Sequence, residues 1–215
     1  MLVYFISGLG ADHRVFKNLE LPGIEMKFLP WLIPEKDESL HDYASRMIRG
    51  IDTSEPVRIV GVSFGGIMAQ TIASMITCRQ IVLISSVRSP EAYHKFVKWV
   101  SKVRLDKVFP MAGLQHFPRK GMDYYFGLET REDSDLLRDM IGHADKYLLR
   151  WSVEQVLQWT PPKLSVRVSH IHGTEDRIFP VQYVKDATLI PGGGHFMVLN
   201  KSREVEEALE LLIRD

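Results

Sequence analysis

Apolar positions along this chain recur in two rhythms. The first is a short unbroken run. Leu2 to Ser7 is such a run and stops at Gly8; Met26 to Leu29 is another, closed by Pro30. Val57–Val60, Gln80–Ser85, Leu164–Ile171 and Ala187–Ile190 repeat the type. Runs this short, without polar alternation, predict strands of a parallel sheet buried on both faces. The second rhythm has a spacing of three and four. Leu40, Tyr43, Ala44, Met47, Ile48 and Ile51 keep to one helical face, and Ser39 with Asp42 three residues on forms a capping box before them. Residues Ile67 to Ile76 predict a second helix, and Val205, Ala208, Leu209 and Leu212 a closing amphipathic one. Strand alternating with helix implies an α/β class, with right-handed crossovers and helices on both faces of the sheet.

Between about Pro90 and Pro161 the strand rhythm is lost. Tyr93, Phe96, Val97 and Val100 make an apolar helical stripe with Lys95, Lys98 and Lys102 opposite. Leu136, Leu137, Met140 and Ile141 predict a further helix, and Leu149, Val153 and Val156 another after Asp145. A helical insertion therefore interrupts a regular α/β unit, and Pro161-Pro162 marks the return.

Length and composition narrow the partners. At 215 residues the chain is one domain with room for one insertion. Lys and Arg balance Asp and Glu at 27 each, which argues against nucleic acid or an acidic membrane surface as the main partner. Cys78 is the only cysteine, so no internal disulfide forms and nothing requires an oxidising compartment. The apolar start, Met1 to Ile6, is too short for a signal sequence and lacks a basic flank, and no stretch has the length of a membrane span. The expectation is a cytoplasmic protein.

Chemistry gathers where the predicted strands end, because ligands of open parallel sheets sit beyond the carboxyl ends of the strands. Gly61-Val62-Ser63-Phe64-Gly65-Gly66 lies at a strand-to-helix turn. A serine between glycines there is a nucleophile elbow: the turn forces positive φ on Ser63, and a Cβ at position 61 or 65 would clash. After the first strand comes Gly8-Leu9-Gly10. His172-Gly173-Thr174-Glu175-Asp176 follows the fifth, and Gly192-Gly193-Gly194-His195 the sixth. A serine, an acid and a histidine thus fall on one edge of the sheet, in that order.

With these three motifs the chain resembles the α/β-hydrolase superfamily. The matching stretches are Gly61–Gly66, His172-Gly173-Thr174-Glu175-Asp176-Arg177-Ile178-Phe179-Pro180 and Gly193-Gly194-His195-Phe196. The resemblance implies an α/β-hydrolase fold of about six mostly parallel strands. It divides the chain into a core, 1–88 and 161–215, and a helical cap, 89–160. The family commonly starts with an antiparallel hairpin, whereas this chain starts at the strand that follows it. It often has His-Gly at the oxyanion loop, whereas this chain has Ser7-Gly8.

The resemblance also implies roles. Ser63 is the nucleophile, His195 the base that takes its proton, and Asp176 the acid that orients the imidazole. Glu175 competes with Asp176, and the family's spacing to Pro180 favours Asp176. The backbone N–H groups of Leu9 and Phe64 form the oxyanion hole. The implied activity is hydrolysis of a small or medium ester or thioester, with no cofactor. Two alternatives remain: carbon–carbon bond hydrolysis or elimination on the same frame, and a ligand receptor with little turnover. Fold alone does not choose among them.

Other residues carry weaker signals. His170 and His172 form an H-x-H pair on one strand face near Asp176, an arrangement open to a metal, but the turn out of the fifth strand accounts for His172-Gly173, and no metal is expected. His13 stands beside the oxyanion loop; a surface position is the simpler reading. Residues 94 to 120 hold seven Lys or Arg against one acid, Asp106. That excess suits an acidic carrier protein less well than it suits the solvated face of a cap helix. Trp99, Tyr124, Tyr125 and Trp151 are candidates for a pocket lining or for the core of the cap.

Overall fold

A computed structural model describes residues 1–88 and 118–214. Its centre is a six-stranded sheet: β1 (Leu2–Ile6), β2 (Glu25–Phe28), β3 (Val57–Val62), β4 (Cys78–Ile84), β5 (Arg167–Gly173) and β6 (Thr188–Ile190). The strand order is β2-β1-β3-β4-β5-β6, and every pairing is parallel. This is an α/β-hydrolase fold, with an inserted region of cap helices.

Alternate residues of the four inner strands feed two cores. Val3 and Phe5 of β1 face one side with Val60, Val82 and Ile171. Tyr4 and Ile6 face the other with Ile59, Ile81 and Leu83. Both faces are therefore apolar, which is why these strands read as continuous runs. On the second face lie α1 (Leu40–Ile48), which buries Tyr43, Ala44 and Met47, and α2 (Phe64–Ala73). The Ser39 hydroxyl caps α1 by accepting from the Asp42 N–H at 3.1 Å.

The cap contributes α3 (Arg119–Phe126), α4 (Arg131–His143) and α5 (Lys146–Gln158). Thr130 caps α4 through the Asp133 N–H, and Asp145 caps α5 through the Leu148 N–H. The chain then closes with α6 (Met197–Asn200) and α7 (Ser202–Arg214), whose Val205, Leu209 and Ile213 pack on the first face. The helix expected over Tyr93 to Val100 lies outside the described residues. So do Trp99, Asp106 and all the basic residues of 94–120 except Arg119 and Lys120.

Several boundaries differ from expectation, and two starts move by three residues. The elbow helix starts at Phe64 rather than Ile67, because the turn at Ser63 is tight enough for the helix to begin at the next residue. Strand β5 starts at Arg167 rather than Leu164, at the residue that pairs with Gln80 of β4.

Candidate active site

The turn between β3 and α2 holds Ser63 at φ 52°, ψ −120°. A Cβ on Gly61 would overlap the Gly65 carbonyl, and one on Gly65 would overlap the carbonyls of Ile6 and Ser7. Glycine at both places lets the strand, the helix and the end of β1 meet around the serine. The Ser63 N–H donates to Ile84 O at 2.9 Å, and the Ser86 hydroxyl donates to Ser63 O at 2.7 Å.

The structure brings Ser63, His195 and Asp176 into one hydrogen-bonded row. His195 Nε2 lies 2.9 Å from Ser63 Oγ, and His195 Nδ1 lies 2.8 Å from Asp176 Oδ2. A carboxylate only accepts, so the imidazole carries its proton on Nδ1 and leaves Nε2 to accept from the serine hydroxyl. Glu175, the competing acid, is exposed.

Asp176 is buried, and its other oxygen is also committed. Oδ1 accepts from the N–H groups of Ile178 at 2.9 Å and Phe179 at 2.8 Å. Burial by itself would push this carboxyl up. The charge and hydrogen bond of His195, with help from His172 and the Phe179 N–H, outweigh it and hold the group below the usual carboxylate range. The acid is therefore an anion aimed at His195.

His172 is fully buried beside this acid and was no part of the expected triad. Its Nε2 lies 2.7 Å from Phe179 O and 3.7 Å from Asp176 Oδ2. A carbonyl only accepts, so His172 donates there. Burial holds the imidazole below its ordinary range, and neutral. Its neighbour His170 packs edge to face against it with ring centroids 5.2 Å apart. Among the described residues no well-formed hydrogen bond reaches either His170 nitrogen; the Ser86 backbone makes a weaker approach. Among the described residues no three His, Cys, Asp or Glu side chains are grouped as metal ligands.

The loop after β1, the expected oxyanion loop, is held by Ser7 and Trp31. The Ser7 hydroxyl, buried, donates to Ala11 O at 2.7 Å. It accepts from the Trp31 indole N–H at 3.0 Å, and that N–H also reaches Gly8 O at 3.2 Å. The Trp31 ring stacks on Phe64 with centroids 5.1 Å apart and planes 15° apart. Sequence reading does not single out Trp31; a tryptophan just beyond a strand end was the only signal.

Ser63, His195, Leu9 and Phe64 share a cavity of about 370 Å³. Its remaining walls are apolar or aromatic, among them Tyr125, Phe126, Val153 and Phe179, and no Asp, Glu, Lys or Arg of the described residues lines it. The His195 ring sits between the edges of Phe126 and Phe179, at 5.7 and 5.4 Å. Of the aromatic candidates, Tyr125 lines this cavity, Tyr124 is exposed, and Trp151 is buried with its indole N–H on Glu38 O. His13 is exposed and lines a separate cavity of about 450 Å³ that Ser7, Ala11 and Trp31 also line.

A family model described as the alpha/beta hydrolase family matches residues 4–208. No curated protein matches the chain. Among solved structures it is similar to a bromoperoxidase from Bacillus anthracis, with a TM-score of 0.76 at 19% identity over 100% of this chain and 92% of that one. A thermophilic esterase from Thermogutta terrifontis gives 0.72 at 18% identity, over 100% and 89%. An esterase from Exiguobacterium antarcticum gives 0.68 at 16% identity, over 100% and 92%. At these identities the likeness concerns the fold.

Proposed function

Since the chain belongs to the alpha/beta hydrolase family, we propose that it is a serine hydrolase that cleaves a small or medium uncharged carboxylic ester or thioester. The observation that carries this reading is the row from Ser63 Oγ through His195 to Asp176, with contacts of 2.9 and 2.8 Å. A hydroxyl alone is a weak nucleophile; a base within hydrogen-bond reach makes it a strong one.

In the proposed reaction Ser63 Oγ attacks the carbonyl carbon while His195 Nε2 takes the hydroxyl proton. The Asp176 anion balances the imidazolium that forms. The carbonyl oxygen becomes an oxyanion, held by the N–H groups of Leu9 and Phe64. Phe64 opens α2, where N–H groups have no partner within the helix. The tetrahedral intermediate collapses, the carbon–oxygen or carbon–sulfur bond breaks, and His195 gives its proton to the leaving alcohol or thiol. Water then attacks the acyl-enzyme through the same base, releasing the acid and restoring Ser63.

The apolar walls favour an uncharged acyl group, because a carboxylate or ammonium buried there would have no partner among the described residues. The proposed division is a catalytic core of residues 1–88 and 161–215 with a cap of 89–160. A cytoplasmic setting fits the single thiol, Cys78.

Intact-mass measurement after exposure to a fluorophosphonate tests the reading. One adduct on the native protein and none on Ser63→Ala is the expected result. A folded native protein that takes no adduct, and hydrolyses no ester in a chain-length panel, would remove hydrolysis in favour of a binding role.

A further inference from the structure

We propose that Trp31 is a positioning residue that aims the oxyanion hole. The proposal rests on the hydrolase reading above and goes beyond it. The carbonyl of Gly8 and the N–H of Leu9 belong to the same planar trans peptide, so they point in opposite directions. Whatever fixes the carbonyl also fixes the N–H. Gly8 O accepts from the Ala11 N–H at 3.1 Å and from the Trp31 indole N–H at 3.2 Å. Gly8 lies against the nucleophile: a Cβ built on it would stand 3.3 Å from Ser63 Cβ. With its carbonyl held on the Trp31 side, the Leu9 N–H faces away from Trp31, and Gly8 and Leu9 both line the cavity that holds Ser63.

The same indole governs the second donor. Its ring lies flat on Phe64, 5.1 Å between centroids, and Phe64 supplies the other N–H. One side chain therefore touches both halves of the hole, which come from loops more than fifty residues apart in sequence. A hydrogen bond to a peptide carbonyl also polarises that peptide and strengthens its N–H as a donor.

Trp31 is itself braced. The Tyr43 hydroxyl accepts from the Leu32 N–H at 2.7 Å and donates to Leu32 O at 2.8 Å, which fixes the backbone beside Trp31. Its indole N–H is shared with Ser7 Oγ, and that hydroxyl ties the far end of the loop at Ala11. Ser7 and Trp31 together thus tie down both ends of the loop, from Ser7 to Ala11.

The test compares the native protein with Trp31→Phe, which keeps an aromatic ring on Phe64 and removes the N–H. A second variant replaces Trp31 with β-benzothienylalanine, in which sulfur takes the place of the N–H at nearly unchanged shape. The substrate is p-nitrophenyl butyrate. For both variants kcat is expected to fall by about tenfold or more with KM within about twofold, since an oxyanion donor acts in the transition state. Inhibition by an alkyl trifluoromethyl ketone, which forms a tetrahedral oxyanion on the serine, is expected to weaken by a similar factor. Native kcat and native ketone affinity in the benzothienylalanine protein would overturn the proposal. So would a KM rising as much as kcat falls, which would make Trp31 a packing residue. Failure of the hydrolase reading shows separately, as a native protein that takes no fluorophosphonate on Ser63.

Discussion

His172 and Phe179 are joined by a single hydrogen bond, 2.7 Å from the buried imidazole Nε2 to the backbone carbonyl. The N–H of the same Phe179 binds Asp176 Oδ1, and its ring packs against His195. Phe179 is thus the point where the acid, the base and a second histidine meet. His172→Leu would remove the imidazole donor from the Phe179 carbonyl, at a cost of about 1 kcal/mol, and free the turn that aims Asp176. The expected result is a kcat lowered by about tenfold with little change in KM. Gln places a side-chain N–H near the position of Nε2, so His172→Gln should recover most of kcat. Equal loss in both variants would make His172 a filler of volume.

The three triad residues were legible in the sequence because each stands within five residues of a strand end and within three of a glycine. Ser63 has Gly61 and Gly65, Asp176 follows Gly173, and His195 follows Gly194. Strand ends in a parallel sheet converge on one edge, so local spacing carries long-range geometry there. Trp31 and His172 lacked that advantage. Trp31 acts through Ser7, 24 residues earlier, and its N–H direction follows from side-chain packing that no spacing encodes. His172 was visible as half of an H-x-H pair, but its tautomer depends on a carbonyl seven residues on. Periodicity likewise placed α4 and α5 of the cap but not α3, the helix whose end meets the histidine loop.

His170 supplies a pH test of stability. Burial, with the nearby charges of His172 and Arg88, holds its imidazole at about 3, against 6.5 for the free group; the weaker Ser86 contact and Asp176 oppose this. The folded pKa is the lower one. Between those two values the unfolded chain binds a proton that the folded chain refuses, so stability falls as pH falls below about 6.5. From pH 7 to 5 this group alone accounts for about 2 kcal/mol. Urea unfolding at both pH values should show a drop in His170→Leu smaller than the native drop by about that amount. An identical drop in the two proteins would assign the acid sensitivity elsewhere.

The walls of the Ser63 cavity predict a charge preference. A carboxylate carried in the acyl chain would be buried against apolar side chains such as Val153 and Phe179, with no cationic partner among the described residues. The p-nitrophenyl ester of a neutral short acid should therefore exceed the half-ester of a dicarboxylic acid of equal length by at least about tenfold in kcat/KM, or about 1.4 kcal/mol. The comparison needs a single ester series at fixed ionic strength. Preference for the dicarboxylic half-ester would point to a cation supplied by the cap.

The cap is fastened to the base at Gly127. The end of α3 receives the Phe196 N–H on Phe126 O at 2.9 Å, and the Asn200 amide donates to Gly127 O at 2.7 Å. From the other side Arg177, next to Asp176, donates to Tyr124 O at 2.8 Å and lies over the Tyr124 ring. Gly127 has φ 67°, and a Cβ there would stand 2.8 Å from Gly194 Cα, a backbone atom that cannot swing aside. Gly127→Ala must therefore bear left-handed strain of about 1–2 kcal/mol and push α3 off the loop that carries His195. Thermal unfolding should shift down by several degrees. Because Phe126 flanks the His195 ring, kcat should fall as well, and fluorophosphonate labelling of Ser63 should slow in step. A variant less stable by this amount but unchanged in labelling rate would show that His195 keeps its place without the cap.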